Sequence, residues 1–132
     1  DPVVVKDEYA YVTLRSGTEC QGFINQMDLV NIENLFAPYL VETFEMHNPH
    51  GLAIQGEHLF LCEGDKGLKV FDISDPLTLD ERLIETNEDF FGFDAIALEN
   101  DLLLVIGKDG LYQFDASEAS NLRQISVIPV VQ

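Results

Sequence analysis

Basic residues are scarce in this chain. Lys and Arg together number 7 against 24 Asp and Glu, which gives a formal net charge of −17 over 132 residues. A negative field of that size repels phosphate backbones, so we expect no nucleic-acid partner. The acidic residues are spread along the chain instead of forming a tail, and we expect most of them to form a solvated surface.

Long apolar runs are missing as well. The longest, residues 102–107, has the length of a strand, whereas a membrane helix needs about 20 apolar residues. The first five residues lack the basic start of a signal peptide, and the chain does not begin with Met. We therefore expect a processed product or an excerpt of a longer protein.

Only two cysteines are present, Cys20 and Cys62. Two are too few for a small protein held together by disulfides, and their spacing fits no zinc motif. The remaining alternatives are one bridge between them or two unpaired thiols.

What the chain does have is a repeated strand pattern. Hairpin signals, each an apolar run, a short polar turn and a second apolar run, lie at residues 3–12, 52–61 and 96–105. Each is followed by two more strand patterns, and the whole unit recurs about every 40 to 45 residues, which is typical of a β-propeller blade. The sequence predicts an all-β fold of three four-stranded antiparallel repeats, with blades at about 1–46, 47–90 and 91–132.

A polar residue ends the third strand pattern of each repeat, at Asn31, Asp72 and Asp115. Its regular recurrence favours a turn cap, which accepts backbone N–H bonds, over a functional site. We expect helix only at residues 115–120, as one turn capped by Asp115.

The second repeat resembles a known family. Its segment Leu-Lys-Val-Phe-Asp-Ile-Ser-Asp-Pro, residues 68–76, is similar to the core of the LVIVD repeat, and residues 111–117 and 27–34 are weaker copies. Residues 13–18, 25–28 and 48–52 resemble the final blades of LVIVD proteins from bacterial cell envelopes. The resemblance implies a β-propeller on a secreted chain or lipoprotein, located outside the cell or in the envelope, with membrane attachment only through a lipid anchor outside this chain. It implies no particular activity.

Three repeats are fewer than the four blades that the smallest closed propellers contain. The alternatives are a fragment of a larger propeller, a domain completed by another chain, or an open array with exposed strand edges. We expect the fragment.

Propeller topology predicts one shared rim. The innermost strands start near Asp1, His50 and Asp94, on the same face as the loops between second and third strands. The first of these loops, residues 13–26, is much longer than the other two, and loops of that length are usually functional or flexible. Cys20 and Cys62 map to this face, so a disulfide that pins the loop is feasible and would suit an oxidising compartment.

Candidate binding residues on this rim are Arg15, Asn25, His47, His50 and Asp94. Arg15 could clamp a carboxylate or pair with a neighbouring acid. His50 could hold a divalent metal ion with Asp94, or it could bond locally at a blade junction while His47 stays exposed. Residues 63–67 fit a plain hairpin turn better than a calcium loop.

These candidates support two hypotheses. The first is a non-catalytic binding or scaffolding module with no certain cofactor, which recognises a protein or carbohydrate at the cell surface through the rim around residues 13–26. The alternative is a propeller hydrolase or lyase with a divalent cation at the channel mouth, held by His50 and Asp94. The first hypothesis assigns no catalytic residue.

Overall fold

The structure is a computed structural model that describes residues 2–16 and 24–130. It contains twelve strands in the described ranges, arranged as three four-stranded antiparallel sheets. We call these sheets blade one (β1–β4), blade two (β5–β8) and blade three (β9–β12). Their bounds are β1 Val3–Lys6, β2 Tyr9–Arg15, β3 Asn25–Asn31, β4 Tyr39–Glu45, β5 Leu52–Gln55, β6 His58–Cys62, β7 Leu68–Asp72, β8 Leu83–Asn87, β9 Gly92–Leu98, β10 Leu102–Gly107, β11 Gly110–Asp115 and β12 Arg123–Pro129.

Each blade is a meander in which neighbouring strands pair in chain order. The predicted all-β fold of three four-stranded antiparallel repeats is confirmed, and the arrangement is propeller-like. Leucine, β-branched and aromatic residues together fill most strand positions. Four residues with positive φ lie in the turns between first and second strands. Those residues are Asp7, Gly56, Asn100 and Asp101, with φ between 54° and 63°.

Blade two lies between the other two blades, so both of its faces are buried. Its side chains alternate between the two cores, as successive residues of a strand do. Leu59 and Leu61 point toward blade one, whereas Phe60 and Cys62 point toward blade three. We call the face that a blade turns toward the next blade in the chain its forward face, and the opposite one its backward face.

The two cores are therefore inter-blade cores. The first combines the forward face of blade one with the backward face of blade two; its buried members are Tyr11, Met27, Leu29, Phe44, Leu52, Leu59, Leu61, Phe71, Ile73 and Leu79. The second joins blades two and three in the same way, through Ala53, Phe60, Cys62, Leu68, Val70, Phe90, Leu103, Val105, Phe114 and Ala116. Burial of these apolar side chains holds the blades to one another.

The helical turn predicted at residues 115–120 was wrong. Asp115 accepts the N–H of Ser117 at 2.9 Å and makes a turn without a helix. Among the described residues the helical segment is a 3₁₀ helix at Pro76–Glu81 in blade two. It forms there because the Asp75 side chain accepts the N–H of Leu77, Pro76 presets φ at the first position, and Leu79 anchors the segment in the first core.

The innermost strands β1, β5 and β9 lie side by side along one edge of the blade stack. A groove of about 440 Å³ runs along them, lined mainly by valine, leucine, isoleucine and alanine side chains. No helix in the described ranges is both long enough and apolar enough to cross a membrane.

Candidate functional site

The segment that joins blades one and two carries His50 to a point where all three blades meet. The Thr13 hydroxyl of blade one donates to the His50 carbonyl oxygen at 2.9 Å. The His50 N–H donates to the carbonyl of Cys62 in blade two at 2.7 Å, and the N–H of Gly51 donates to the carbonyl of Phe93 in blade three at 2.8 Å. The backbone on both sides of the imidazole is therefore fixed.

The imidazole itself has a defined orientation. Its Nδ1 lies 2.7 Å from the carbonyl oxygen of Asn48, so a neutral ring donates from Nδ1 and leaves an acceptor lone pair on Nε2. No described residue forms a hydrogen bond with Nε2. Burial lowers the pKa of His50 and the charge of Arg15 lowers it further, whereas the bond to Asn48 and the charge of Glu63 oppose that shift without reversing it. The neutral ring is accordingly the favoured form.

Two phenylalanines of the segment that enters blade three surround His50. The ring centroids of Phe91 and Phe93 each lie 5.7 Å from that of His50, with edge-to-face geometry, and 4.9 Å from each other. Phe93 is 40% exposed, whereas His50 is 9% exposed. The result is an aromatic surface beside a polar ring on the rim. We call His50, Phe91, Phe93 and Arg15 the rim cluster.

Asp94 follows directly after Phe93. A Cβ atom on Gly51 would lie 1.8 Å from Asp94 Oδ1, so the carboxylate packs against the residue next to His50. Its Oδ1 accepts the N–H of Ala95 at 2.8 Å. The structure thus places Asp94 against the residue that follows His50, and the charge of Arg15 acts on the His50 ring.

Asn25 and His47 have local partners. Asn25 pairs with Arg15 across β2 and β3, and its Oδ1 accepts the N–H of Ser16 at 3.2 Å. The ring of His47 lies 3.0 Å from Asp65 Oδ1, in an exposed pair. Neither contact assigns a ligand to these residues.

The buried carboxylate of Glu63, which was not among the residues predicted from the sequence, holds the backbone just before His50. Glu63 is fully buried, and its oxygens accept the N–H groups of His47 and Asn48, each at 3.2 Å. Lys69 Nζ lies 2.7 Å from Glu63 Oε2. The sequence suggested only a turn at residues 63–67, which the structure contains, with Gly64 and Gly67 at positive φ.

The predicted disulfide stays a prediction. Cys20 lies outside the described residues, as do residues 17–23 of the long first loop. Cys62 is buried in the second core, and burial raises the pKa of its thiol well above the ordinary range.

Metal coordination needs several converging donors. Within residues 2–16 and 24–130, no group of three or more His, Cys, Asp and Glu side chains is placed to hold one ion. Catalytic zinc sites use three protein ligands, and the positive charge of Arg15 beside His50 opposes a bound cation. The donor set of His50 and Asp94 fits such a site poorly.

A known family model matches the second of the three repeats. The LVIVD repeat model matches residues 49–83. The chain carries an LVIVD repeat. No curated protein matches the chain. The LVIVD repeat begins just before His50, includes Glu63 and Lys69, and ends at the first residue of β8, so it contributes the polar support of the rim as well as most of blade two.

The phenylalanines of the rim cluster were not found from the sequence. A signal was available, because residues 90–93 read Phe-Phe-Gly-Phe at the entry to a blade. Their contact with His50 depends on how blades two and three pack, and one repeat read by itself does not contain that information.

Proposed function

We propose that this β-propeller-type module is a non-catalytic binding module of a secreted or envelope-anchored bacterial protein, and that the rim cluster recognises the ligand. The observation that carries the proposal is the half-exposed Phe93 ring beside a neutral, oriented His50 and the cationic Arg15. Exposed aromatic rings provide flat apolar contact area at low entropic cost. An oriented imidazole and a guanidinium add directional polar contacts.

The chemistry of the cluster suggests the class of ligand. His50 Nε2 accepts a hydrogen bond from a hydroxyl group, and a guanidinium pairs with a carboxylate. A sugar that carries a carboxyl group offers an apolar ring face, hydroxyl donors and a carboxylate together. The net charge of −17 repels polyanionic ligands, and Arg15 supplies one local positive charge on the rim. We therefore favour a carbohydrate that carries a single carboxyl group over polyanionic glycans and over neutral carbohydrate, and we place a peptide with a free carboxylate second.

The proposal is tested with a glycan array that contains matched neutral and uronic-acid glycans. We expect the wild-type chain to retain uronic-acid glycans preferentially and Arg15→Gln to lose that preference. Arg123→Gln is the matched control, because Arg123 pairs with Asp115 at the opposite end of a blade. Equal binding by the two variants, or binding that survives Phe93→Ala unchanged, would refute the assignment of the rim cluster.

The metal-dependent hydrolase or lyase remains a competing prediction. Its test is separate: metal analysis of purified chain and melting curves with added Zn²⁺, Mn²⁺ or Ca²⁺. A stoichiometric metal whose binding is lost in both His50→Ala and Asp94→Asn would favour the enzyme and count against a purely binding role.

A further inference from the structure

One turn of blade two bonds to both halves of the rim cluster. This turn, residues 63–67, joins β6 to β7. Its first residue, Glu63, bonds to the segment that carries His50. Its second residue, Gly64, bonds to the segment that enters blade three and carries the two phenylalanines. The turn is therefore placed to set how the polar and the aromatic parts of the site lie relative to one another.

Blade three holds this turn in place through a pair of backbone hydrogen bonds. The N–H of Gly64 donates to the carbonyl of Gly92 at 3.1 Å, and the N–H of Gly92 donates to the carbonyl of Gly64 at 2.9 Å. A Cβ atom on Gly64 would clash with the side-chain amide of Asn48, so the turn also packs closely against the segment before blade two. The backbone of the turn is thus a fixed base for the Glu63 side chain.

The Glu63 carboxylate fixes the backbone next to the His50 ring. Its two oxygens accept the N–H groups of His47 and Asn48, each at 3.2 Å. The carbonyl oxygen of Asn48 in turn lies 2.7 Å from His50 Nδ1. Pro49 follows Asn48 and restricts its backbone to extended conformations. Two bonds to one carboxylate therefore aim the Asn48 carbonyl at the ring.

Lys69 compensates the charge of this carboxylate. Its Nζ lies 2.7 Å from Glu63 Oε2, and the Glu63 side chain is fully buried. A buried carboxylate is unfavourable without partners, and here an ammonium group and two N–H groups supply them. Because Glu63 is buried, it can influence a ligand only through the groups that it positions.

The tautomer of a neutral histidine decides which hydrogen bonds the ring offers. The nitrogen that carries the proton donates, and the other nitrogen accepts. An unconstrained neutral histidine favours the proton on Nε2, whereas the Asn48 carbonyl requires it on Nδ1 of His50. Nε2 of His50 is therefore an acceptor, and a ligand group that binds to it has to donate.

We propose that Glu63 is the positioning residue that makes His50 an acceptor, and that it thereby determines the donor specificity of the rim cluster. This role rests on the proposed binding function of the rim cluster and adds to it a buried residue that controls the choice between donor and acceptor. A ligand group that only accepts, such as an O-methylated hydroxyl, should be excluded from Nε2 of His50.

The tautomer of His50 in the free protein tests this role. The intact protein is prepared with isotope-labelled histidine, and the nitrogen chemical shifts are measured at about pH 8, where the ring is neutral. A His50→Gln spectrum identifies the His50 signals. We expect the Nδ1–H form to predominate in the wild type.

Replacing the ion pair by two apolar side chains, Glu63→Leu with Lys69→Met, removes both acceptors without leaving an unpaired charge. The ratio of the two tautomers should then move toward Nε2–H by about fivefold, the factor that corresponds to one lost hydrogen bond. Glu63→Gln keeps an acceptor for the Asn48 N–H but none for the His47 N–H, so we expect a smaller shift in the same direction. Glu63→Gln alone decides the test if the double variant does not fold, as judged by circular dichroism.

Leu79→Ala is the matched control for loss of stability. It removes a fully buried side chain from the same blade, at the end opposite the rim, and should leave the tautomer ratio unchanged. A wild-type ring with its proton on Nε2, a ratio that neither Glu63 variant alters, or an equal shift in Leu79→Ala would each overturn the role of Glu63. None of these results requires a ligand, so they are independent of the outcome of the glycan array.

Uronic-acid glycans with free and with O-methylated hydroxyl groups test the donor specificity on that array. The wild type should retain the methylated glycans about fivefold less than the free ones, and Glu63→Gln should reduce this difference. Equal retention of both sets by the wild type would overturn the donor specificity. Retention of neither set would refute the proposed function itself and leave the tautomer result standing.

Discussion

Replacing Glu63 by glutamine hardly changes the shape of the side chain, yet we expect it to lower the free energy of unfolding strongly. The substitution Glu63→Gln keeps the volume and one carbonyl oxygen, which can still accept the N–H of Asn48. The new amide group then faces two donors, the His47 N–H and the Lys69 ammonium, where an acceptor had been. The amide N–H group is then fully buried and faces two other donors instead of an acceptor.

The magnitude follows from the burial of the pair. Removing one partner of a buried ion pair costs about 3 to 5 kcal/mol. The Lys69 side chain keeps 20% exposure and can recover part of its hydration, which places the expected loss near the lower limit, about 3 kcal/mol. At a urea dependence of about 2 kcal/mol per molar, the unfolding midpoint should fall by about 1.5 M.

Urea unfolding followed by circular dichroism measures this loss, with Asp65→Asn as the control. Asp65 pairs with exposed His47, and exposed pairs contribute about 0 to 1 kcal/mol. Glu63→Gln combined with Lys69→Met should lose less than the two single variants together, because the amide no longer faces an ammonium group. A Glu63→Gln variant within about 1 kcal/mol of wild type would refute the reasoning.

Three further predictions concern packing. Gly51→Ala should cost about 1 to 3 kcal/mol, because its Cβ would meet the backbone and side chain of Asp94, and thermal melting should show a smaller loss for the same change in an Asp94→Ala background, which lacks the carboxylate; equal losses in the two backgrounds would contradict the close approach. Leu79→Ala should cost about 2 to 5 kcal/mol and Leu77→Ala under about 0.5, measured by urea unfolding; similar values would contradict the burial of the 3₁₀ helix. With the other cysteine replaced by alanine, the Cys62 thiol should react with Ellman's reagent only in denaturant, and rapid labelling of the folded chain would contradict its burial.

Much of the fold could be predicted because strand patterns are local. The hairpin of residues 96–105 and the stop at Asp115 are readable in one stretch of sequence, and comparison with the other repeats identifies the blade. The helix was misplaced because Asp75 and Asp115 both cap the turn that follows them. What decides between a turn and a 3₁₀ helix is Pro76 together with a pocket for Leu79, and the pocket belongs to another blade.

The candidate site was predicted less completely, for the same physical reason. The alignment of repeats located His50 and Asp94 on the rim, since strand starts share one end of a blade. The contacts of Phe91 and Phe93 with His50, and the bonds that Glu63 accepts from the segment before blade two, cross between elements. No periodicity in the sequence encodes such contacts.

The same bond forms at all three turn caps. The side chains of Asn31, Asp72 and Asp115 accept the N–H two residues further on at 2.9, 2.8 and 2.9 Å, but the three caps respond differently to low pH. Bonds from Ser74 lower the pKa of Asp72, and bonds from Ser117 and then Arg123 lower the pKa of Asp115 to about 2. A carboxyl group with a lowered folded pKa stabilises the fold above its unfolded pKa of about 4 and loses that contribution as pH falls through the folded value. The Asn31 amide takes up no proton in this range, so the cap of blade one is unchanged in acid, whereas the caps of the other two blades lose the part of their strength that depends on the carboxylate charge. The three turns are structurally equivalent, but one of them has an amide where the other two have a carboxyl group. Their stability at low pH is therefore unequal.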